Sequence, residues 1–185
     1  SICLTTSFQD TLLVDLAVSV DPEIEVVFLD TGFHFAETLD VLRRAQSRYS
    51  LHLRVERPDL DAADVWEHGQ EACCGARKVD LLDRALAGKV AWLSGLRRDD
   101  GRERASARIV EVDHRGLVKV NPMAAWQDAD AASYVERHDV IRNPLFAEGY
   151  TSVGCWPCTE RPASGADPRS GRWAGSARTE CGLHL

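Results

Sequence analysis

The hydrophobic positions of this chain alternate between short apolar runs and segments with helical spacing. The apolar runs have the length and composition of strands and occupy residues 2–7, 24–29, 51–55 and 90–94. The segments between and after them predict helices at residues 10–20, 35–49, 61–68 and 79–86. Strands that alternate with helices predict an α/β fold with a doubly wound, mostly parallel sheet.

The second half of the chain adds a hairpin, a helix and a tail. Strands at 108–112 and 117–120, joined by a glycine-containing turn, predict the hairpin, and the helix is expected at 128–138. Beyond Cys158, frequent glycine, proline and serine predict a poorly ordered segment. We therefore interpret residues 1–160 as the α/β domain and 161–185 as its flexible C-terminal tail. Because the chain opens directly on a strand, we expect an N-terminal segment before it in the natural protein.

Charge and composition narrow the functional classes. The net charge of −7 argues against nucleic-acid binding, and no apolar run approaches the length of a membrane span. Residues 155–185 are nevertheless net positive, with four arginines against three acidic residues, which suits a small anionic ligand. Six cysteines without a recognisable leader predict a cytoplasmic protein, where paired cysteines more often bind metal than form disulfides.

Polar and small residues follow several of the predicted strands. The turn Thr6–Asp10 leads from the first strand into a helix, an arrangement that can bind an anion through backbone amides. The alternative is that its serine and aspartate are simple helix caps. Asp30 has the same two interpretations after the second strand, where ligands of open α/β sheets bind. Gly95 and Arg97 follow the fourth strand in the same way.

The cysteines form the most informative pattern. Cys73-Cys74 and Cys155-x-x-Cys158 supply four thiols, a full set for tetrahedral zinc or for an iron–sulfur cluster. The adjacent pair weighs against structural zinc, and four unligated buried cysteines remain an alternative. Cys181 lies near the chain end with several arginines upstream, which predicts a nucleophilic thiol on the tail. The alternative there is an incidental surface thiol.

Several motifs together resemble one enzyme family. They are Cys73-Cys74-x-x-Arg77-Lys78, Cys155-x-x-Cys158-Thr159, Glu180-Cys181-Gly182-Leu183-His184, Phe28–Gly32, Trp92–Asp99, Lys119–Pro122 and Arg169–Trp173. In sequence and in order they resemble the iron–sulfur type of assimilatory adenylyl-sulfate (APS) reductase, within the APS/PAPS reductase family. The resemblance runs from near the first residue to the last. It implies a fold like that of the adenine nucleotide alpha-hydrolases.

The resemblance also implies an activity and a cofactor. A [4Fe-4S] cluster would be held by Cys73, Cys74, Cys155 and Cys158. Cys181 would attack the sulfur of APS, expel AMP and become an S-sulfocysteine, from which thioredoxin releases sulfite. The cluster would act structurally and electrostatically, because thiols supply both electrons.

Further site residues follow from the same resemblance. Lys78 and His184 join Cys181 as catalytic residues, with the role of His184 left open between covering the substrate and pairing with the thiol. The expected substrate-binding residues are Thr6, Ser7, Phe8, Gln9, Asp10, Leu29, Gly95, Arg97, Arg169 and Arg172. The turn Thr6–Asp10 is less rich in glycine than many pyrophosphate loops, which leaves its phosphate contacts open.

Alternative functions remain at this stage. The closest is a reductase that uses 3′-phosphoadenylyl sulfate (PAPS), or both substrates, although PAPS enzymes lack the four cluster cysteines. A cluster-bearing tRNA-thiolating enzyme would predict a basic RNA-binding surface, which the net charge of −7 does not support, and would leave the terminal motif unexplained. A zinc-stabilised nucleotide-binding module is the non-enzymatic alternative, and a brown protein that absorbs visible light would exclude it. The expected partners are APS and thioredoxin, with no nucleic acid and no membrane, and the chain could form a homo-oligomer.

Overall fold

The computed structural model describes residues 1–173, 176, 178 and 180–183. Six strands form a single sheet in the order β3-β2-β1-β4-β6-β5. The strands are β1 (Ile2–Thr6), β2 (Glu25–Leu29), β3 (His52–Glu56), β4 (Ala91–Leu93), β5 (Val110–Val112) and β6 (Val118–Val120). Every neighbouring pair is parallel except β5 and β6, which form the predicted antiparallel hairpin. The predicted α/β class with a mostly parallel sheet is confirmed.

Five α-helices accompany the sheet in the described part of the chain. They are α1 (Leu12–Val20), α2 (Ala36–Tyr49), α3 (Gly69–Cys74), α4 (Asp80–Leu86) and α5 (Asp128–His138). A π-helical turn, Gly75–Val79, joins α3 directly to α4. None of the helices that can be described is long and apolar enough to cross a membrane.

Both faces of the sheet are covered, as the sequence pattern of β2 requires. Val26 and Phe28 pack on one face with residues of α1 and α2, whereas Val27 and Leu29 pack on the other with α4. Successive side chains of a strand point to opposite faces of the sheet, so a continuous run of apolar residues indicates that neither face is exposed to water. Cys3 is fully buried on the α4 side and belongs to the core, away from the other cysteines of the sequence motifs.

The predicted helix at residues 61–68 is wrong. The segment consists of turns, in which a carboxylate oxygen of Asp64 accepts the backbone amides of Trp66 and Glu67 at 3.0 and 2.8 Å. The carbonyls of Ala62 and Ala63, which a helix would need, instead accept hydrogen bonds from the guanidinium of Arg77, both at 2.9 Å. A long-range side chain thus takes the place of local backbone pairing.

The strand order creates a crevice between β1 and β4. The chain runs from β1 outward to β3 and then returns to the opposite side of β1 for β4. Open α/β sheets bind ligands at the carboxyl ends of the strands where the order reverses in this way. The turn Thr6–Asp10 and the segment that begins at Ser94 lie at those two strand ends.

The first part of the expected tail is attached to the domain. Thr159 pairs with Arg172, and the amide of Glu160 donates to the carbonyl of Gly171 at 2.7 Å. The amide of Trp173 donates to the carbonyl of Cys158 at 2.9 Å, and the Trp173 side chain is buried. These bonds return the chain to the segment that carries Cys155 and Cys158.

Candidate active site

Four cysteines line one cavity beside the sheet. Cys73 and Cys74 come from the end of α3, and Cys155 and Cys158 come from the loop that leads to the tail. Successive residues of a helix are about 100° apart around its axis, so two adjacent side chains can face the same broad cavity. This geometry explains how the adjacent pair can act with the Cys-x-x-Cys pair.

The second cysteine pair approaches the sheet next to the carboxyl end of β2. Cys155 forms a β-bridge with His34, and its sulfur lies 3.3 Å from the hydroxyl of Thr31. His34 Nε2 lies 3.0 Å from the carbonyl oxygen of Leu29, and burial lowers the pKa of this histidine. The last residues of β2 and the loop after it therefore position Cys155.

The cysteine thiols are free but do not converge on one point. All six cysteines, each within the described part of the chain, lack a disulfide. Among the described residues, no three His, Cys, Asp or Glu side chains are close enough to bind a single metal ion. A tetrahedral zinc needs every sulfur about 2.3 Å from one centre, whereas a cluster distributes its thiolate bonds over separate iron atoms. Four cysteine thiols on one cavity are the type and number of donors that an iron–sulfur cluster uses.

Burial and mutual repulsion oppose ionisation of these thiols. Burial, followed by the charges of Cys74 and Cys155, raises the pKa of Cys73 to about 11. Burial also raises the pKa of Cys74 and of Cys158, and neighbouring cysteines add to the effect at both. Four thiolates in this cavity therefore need a positive centre to stabilise them.

Lys78 places a positive charge at the cysteine cavity. It lies in the π-helical turn, lines the cysteine cavity and has no ion pair or hydrogen bond with any residue that the structure describes. Burial lowers the pKa of Lys78, but the charges of Cys155 and Cys181 raise it by more. The ammonium group therefore keeps its charge at the cysteine cavity.

Cys181 is not an exposed surface thiol. The residue is 8% exposed and packs against Cys74, Trp173 and Leu183. Gly182 follows it with φ 91°, and a Cβ there would lie 3.3 Å from Cγ2 of Val79 in the π-helical turn. The close approach at glycine brings the C-terminal segment onto the turn that carries Lys78.

Arg172 offers a buried positive charge without a carboxylate partner among the described residues. Its guanidinium lies over the Trp173 ring, 4.6 Å from the centroid, and donates to Ser152 Oγ at 3.2 Å. Its Nε is buried and has no hydrogen bond. Burial, then repulsion from Arg169, lowers the pKa of Arg172. Such a group favours binding of an anion.

Comparisons with known proteins identify relatives of this chain. Residues 1–161 match the model of the phosphoadenosine phosphosulfate reductase domain family. An adenosine 5′-phosphosulfate reductase of Rhodococcus opacus is 45% identical over 193 residues, covering 100% of this chain and 78% of its own length. A protein of the same name from Mycobacterium tuberculosis is 47% identical over 190 residues, covering 98% of this chain and 75% of its own length.

The chain belongs to the phosphoadenosine phosphosulfate reductase domain family. The resemblance inferred from the motifs is confirmed. A phosphate complex of phosphoadenylyl-sulfate (PAPS) reductase from Candida auris superposes with a TM-score of 0.75 at 26% identity, covering 86% of this chain and 83% of that one. An FMN adenylyltransferase of Candida glabrata superposes at 0.65 and 18% identity, covering 86% and 56%, and shares the fold.

Two other arginines expected at the site of this reductase-family chain are ion-paired. Arg97 contacts Asp100 and Asp128, each at 2.9 Å. Arg169 lies 3.5 Å from a carboxylate oxygen of Glu180 and 5.7 Å from the Trp173 ring centroid. Arg97 therefore lies at the end of β4, while Arg169 and Arg172 flank Trp173.

The turn after β1 is shaped by one residue in the left-handed region. Phe8 has φ 51° and is fully buried, with its ring 5.5 Å from that of Phe28. It can therefore offer only its backbone to a ligand. The Asp10 carboxylate accepts a hydrogen bond from the amide of Leu12 at 2.9 Å, and burial raises the pKa of Asp10. Gln9 Oε1 accepts the amide of Val153 at 3.4 Å.

The remaining expected contacts are distributed along the carboxyl edge. Thr6 Oγ1 accepts the amide of Phe8 at 3.2 Å, and Ser7 is exposed. Gly95 is exposed at the end of β4, while the carbonyl of Leu29 faces His34. His184 lies outside the described residues.

The sequence did not predict the structural roles of two arginines, Arg77 and Arg104, in this family member. Arg77 holds the segment before α3 through backbone carbonyls and lies 4.7 Å from the ring centroid of Phe33. Arg104 forms two hydrogen bonds with Glu180, at 2.6 and 2.9 Å. Arg77 was visible within the Cys73–Lys78 motif, whereas no local signal links Arg104 to a partner 76 residues away.

Proposed function

We propose that this protein reduces APS to sulfite and AMP, with thioredoxin as the electron donor and an S-sulfocysteine on Cys181 as the intermediate. The observation that carries the proposal is the position of Cys181. It packs beside the cysteine cavity, and its charge acts on Lys78, which has no carboxylate partner among the described residues. Identity of 45–47% to proteins named adenosine 5′-phosphosulfate reductase supports the same substrate.

The nucleotide would bind in the crevice between β1 and β4. The turn Thr6–Asp10 supports this proposal because it joins a strand to α1, whose first turn presents backbone amides. Gly95 and Leu29 would contact adenosine through backbone groups, and Arg97 would lie near the ribose or the phosphosulfate. This placement directs the sulfate toward the cysteine cavity, further along the same edge of the sheet.

In the first step, the thiolate of Cys181 attacks the sulfur of APS. A bond forms between the cysteine sulfur and the sulfate sulfur, while the bond from sulfur to the bridging phosphate oxygen breaks. AMP leaves with that electron pair. Lys78, Arg172 and Arg169 would offset the repulsion between the thiolate and the anionic sulfate, in a site where burial strengthens their effect.

In the second step, a thiolate of thioredoxin attacks the Cys181 sulfur. The bond between the two sulfur atoms breaks and sulfite leaves with its electron pair. The second thioredoxin thiol then displaces Cys181 from the mixed disulfide, which restores the Cys181 thiolate and leaves oxidised thioredoxin. Thioredoxin supplies two electrons, which balances the reduction of sulfate to sulfite. This chemistry places the protein in a reducing compartment, consistent with the cytoplasm.

We further propose that Cys73, Cys74, Cys155 and Cys158 hold a [4Fe-4S] cluster. Four buried thiols around one cavity, with raised pKa values for at least three of them, support a site that needs a positive metal centre. When bound, the cluster would supply an ordered anionic surface beside Lys78. Lys78 would then keep its ammonium at the edge of that surface, oriented for the sulfate.

Reduction of PAPS is the second candidate. The description of the matching family model and the Candida auris structure favour it. The four cysteines and the higher identity to adenosine 5′-phosphosulfate reductases favour APS.

The decisive experiment is mass spectrometry of the anaerobically purified protein mixed with APS in the absence of thioredoxin. We expect an added SO3 group on the peptide that contains Cys181. Cys181→Ser should give no adduct, whereas Cys3→Ser, which changes a core thiol, should still give it. An adduct only with PAPS would replace the substrate. No adduct with either nucleotide would refute the proposed chemistry.

A further inference from the structure

The residue before Cys181 is held by a two-pronged ion pair. Arg104 Nε lies 2.6 Å from Glu180 Oε1, and its Nη2 lies 2.9 Å from Oε2. The two side chains are only 13% and 10% exposed. Parallel hydrogen bonds from a planar guanidinium to a carboxylate restrict orientation as well as distance.

Arg104 is itself anchored near the end of β4. Its Nη1 lies 3.2 Å from Asp100, and the other oxygen of Asp100 lies 2.9 Å from Arg97. Burial lowers the pKa of Arg104, but its bonds to Glu180 raise it by more, so the guanidinium keeps its charge. A line of alternating charges thus connects the strand end beside the proposed nucleotide crevice to Glu180.

We propose that Arg104 is a positioning residue whose pairing with Glu180, the Arg104–Glu180 latch, holds Cys181 in the closed site. This inference rests on the proposed function for its catalytic consequence. Cys181 is 8% exposed in the latched arrangement, so a protein reductant cannot reach its sulfur there. The latch must therefore be closed while Cys181 attacks the substrate and open while thioredoxin attacks the intermediate.

The structure explains why this ion pair controls Cys181. Glu180 is the immediate neighbour of Cys181, so a displacement of its carboxylate is transmitted over a single residue. On the other side, Gly182 contacts the π-helical turn at Val79. Arg169 also approaches Glu180, at 3.5 Å, but without the parallel geometry of Arg104. Loss of Arg104 therefore weakens the attachment without removing all positive charge near the carboxylate.

The first test measures the accessibility of Cys181 and needs no substrate. The anaerobically purified holoprotein is treated with iodoacetamide, and the modification rate of each cysteine is followed by peptide mass spectrometry. We expect Arg104→Gln to raise the Cys181 rate at least about tenfold, since loss of one partner of a partly buried pair favours opening. Arg102→Gln is the matched control, because Arg102 is exposed in the same short helical turn and has no ion pair among the described residues.

Cys3 provides an internal control for folding. It is fully buried in the core, so its modification rate should stay the same in all variants unless the whole domain opens. If Arg104→Gln does not fold, Glu180→Gln tests the same pair from the tail. A Cys181 rate in the folded Arg104→Gln or Glu180→Gln variant equal to that of Arg102→Gln would overturn the latch.

A double variant separates the latch from a general loss of charge. If the two side chains act through each other, Arg104→Gln combined with Glu180→Gln should raise the Cys181 modification rate by clearly less than the product of the two single effects. Rates that multiply would show that the residues act independently and would also overturn the proposal.

The second test separates the two halves of the reaction. With APS, Arg104→Gln should form the Cys181 adduct about tenfold more slowly at saturating substrate, with unchanged APS affinity. Thioredoxin should release sulfite from a preformed adduct of Arg104→Gln at least as fast as from the adduct of the protein without this substitution. An equal slowing of both steps would refute the positioning role. Faster alkylation with no adduct in any protein would support the latch as a closure and refute the proposed function.

Discussion

Gly154→Ala should disable Arg172 without unfolding the protein. The guanidinium of Arg172 packs directly against the α-carbon of Gly154, the residue before Cys155. A Cβ at this position would lie 2.9 Å from Nη1, and the neighbouring guanidinium atoms are closer still. The backbone of Gly154 is not in the left-handed region, so alanine adds only steric bulk. The end of a flexible side chain must therefore move away.

The expected effects on stability and rate differ in size. When Arg172 is displaced from Ser152 and the Trp173 ring, it loses one hydrogen bond and one cation–π contact. The free energy of unfolding falls by about 1–3 kcal/mol, part of which is recovered when water solvates the guanidinium. At roughly 2–4 °C per kcal/mol for a chain of this size, that loss lowers the Tm by about 2–12 °C, and by the lower end of that range once water solvates the displaced guanidinium. Displacement of a substrate-positioning group by about 1 Å costs about a hundredfold in rate.

Single-turnover formation of the Cys181 adduct, measured beside a thermal melt, tests this reasoning. Ser152→Ala is the control, because it removes the 3.2 Å hydrogen bond to Arg172 and leaves the guanidinium where it is. It should slow the step severalfold at most. Gly171→Ala should mainly lower the Tm, because its Cβ would meet the backbone of Glu160, with the carbonyl carbon at 3.1 Å. A Gly154→Ala protein with the native adduct rate would refute a role for Arg172 at the substrate.

Two further predictions concern Lys78 and the cysteine cavity. Lys78→Ala should slow adduct formation about a hundredfold or more, because it removes a charge that faces the site, and should leave the Tm nearly unchanged because no ion pair among the described residues is lost. An unchanged single-turnover rate would assign Lys78 a structural role. Cys74→Ser should eliminate bound iron and visible absorbance, whereas Cys3→Ser should retain both, since Cys3 lies in the core; iron analysis that finds the same content in both variants would remove Cys74 from the ligand set.

Much of the fold could be predicted from the sequence because it depends on local periodicity. The run of apolar residues in β2 requires cover on both faces, and alternation of strands with helices restricts the order of the sheet. The hairpin of β5 and β6 follows from its own turn. The predicted helix at residues 61–68 was wrong because a long-range interaction acts on this segment. Its carbonyl groups accept hydrogen bonds from Arg77, which lies in the π-helical turn after α3.

The same distinction between local patterns and long-range interactions applies to the candidate site. The cysteine pairs and the terminal Cys181 motif are distinctive at any location, so the sequence alone predicts them as the residues that carry chemistry. Which of these residues lie close together depends on long-range packing and could be read only from the folded chain. The segment after Cys181 approaches the π-helical turn that carries Lys78 because Gly182 has no side chain, and the Arg172 guanidinium packs against Gly154 for the same reason.

The ion pair of Arg104 with Glu180 is the clearest case of a feature that the tertiary structure alone decides. Its partners are 76 residues apart, and Arg104 has other acidic residues, Asp99, Asp100 and Glu103, much nearer in the sequence. Their pairing depends on the burial that both side chains acquire in the folded protein, where they are 13% and 10% exposed. A one-dimensional pattern records charge but not the distance or the desolvation that selects one partner over another.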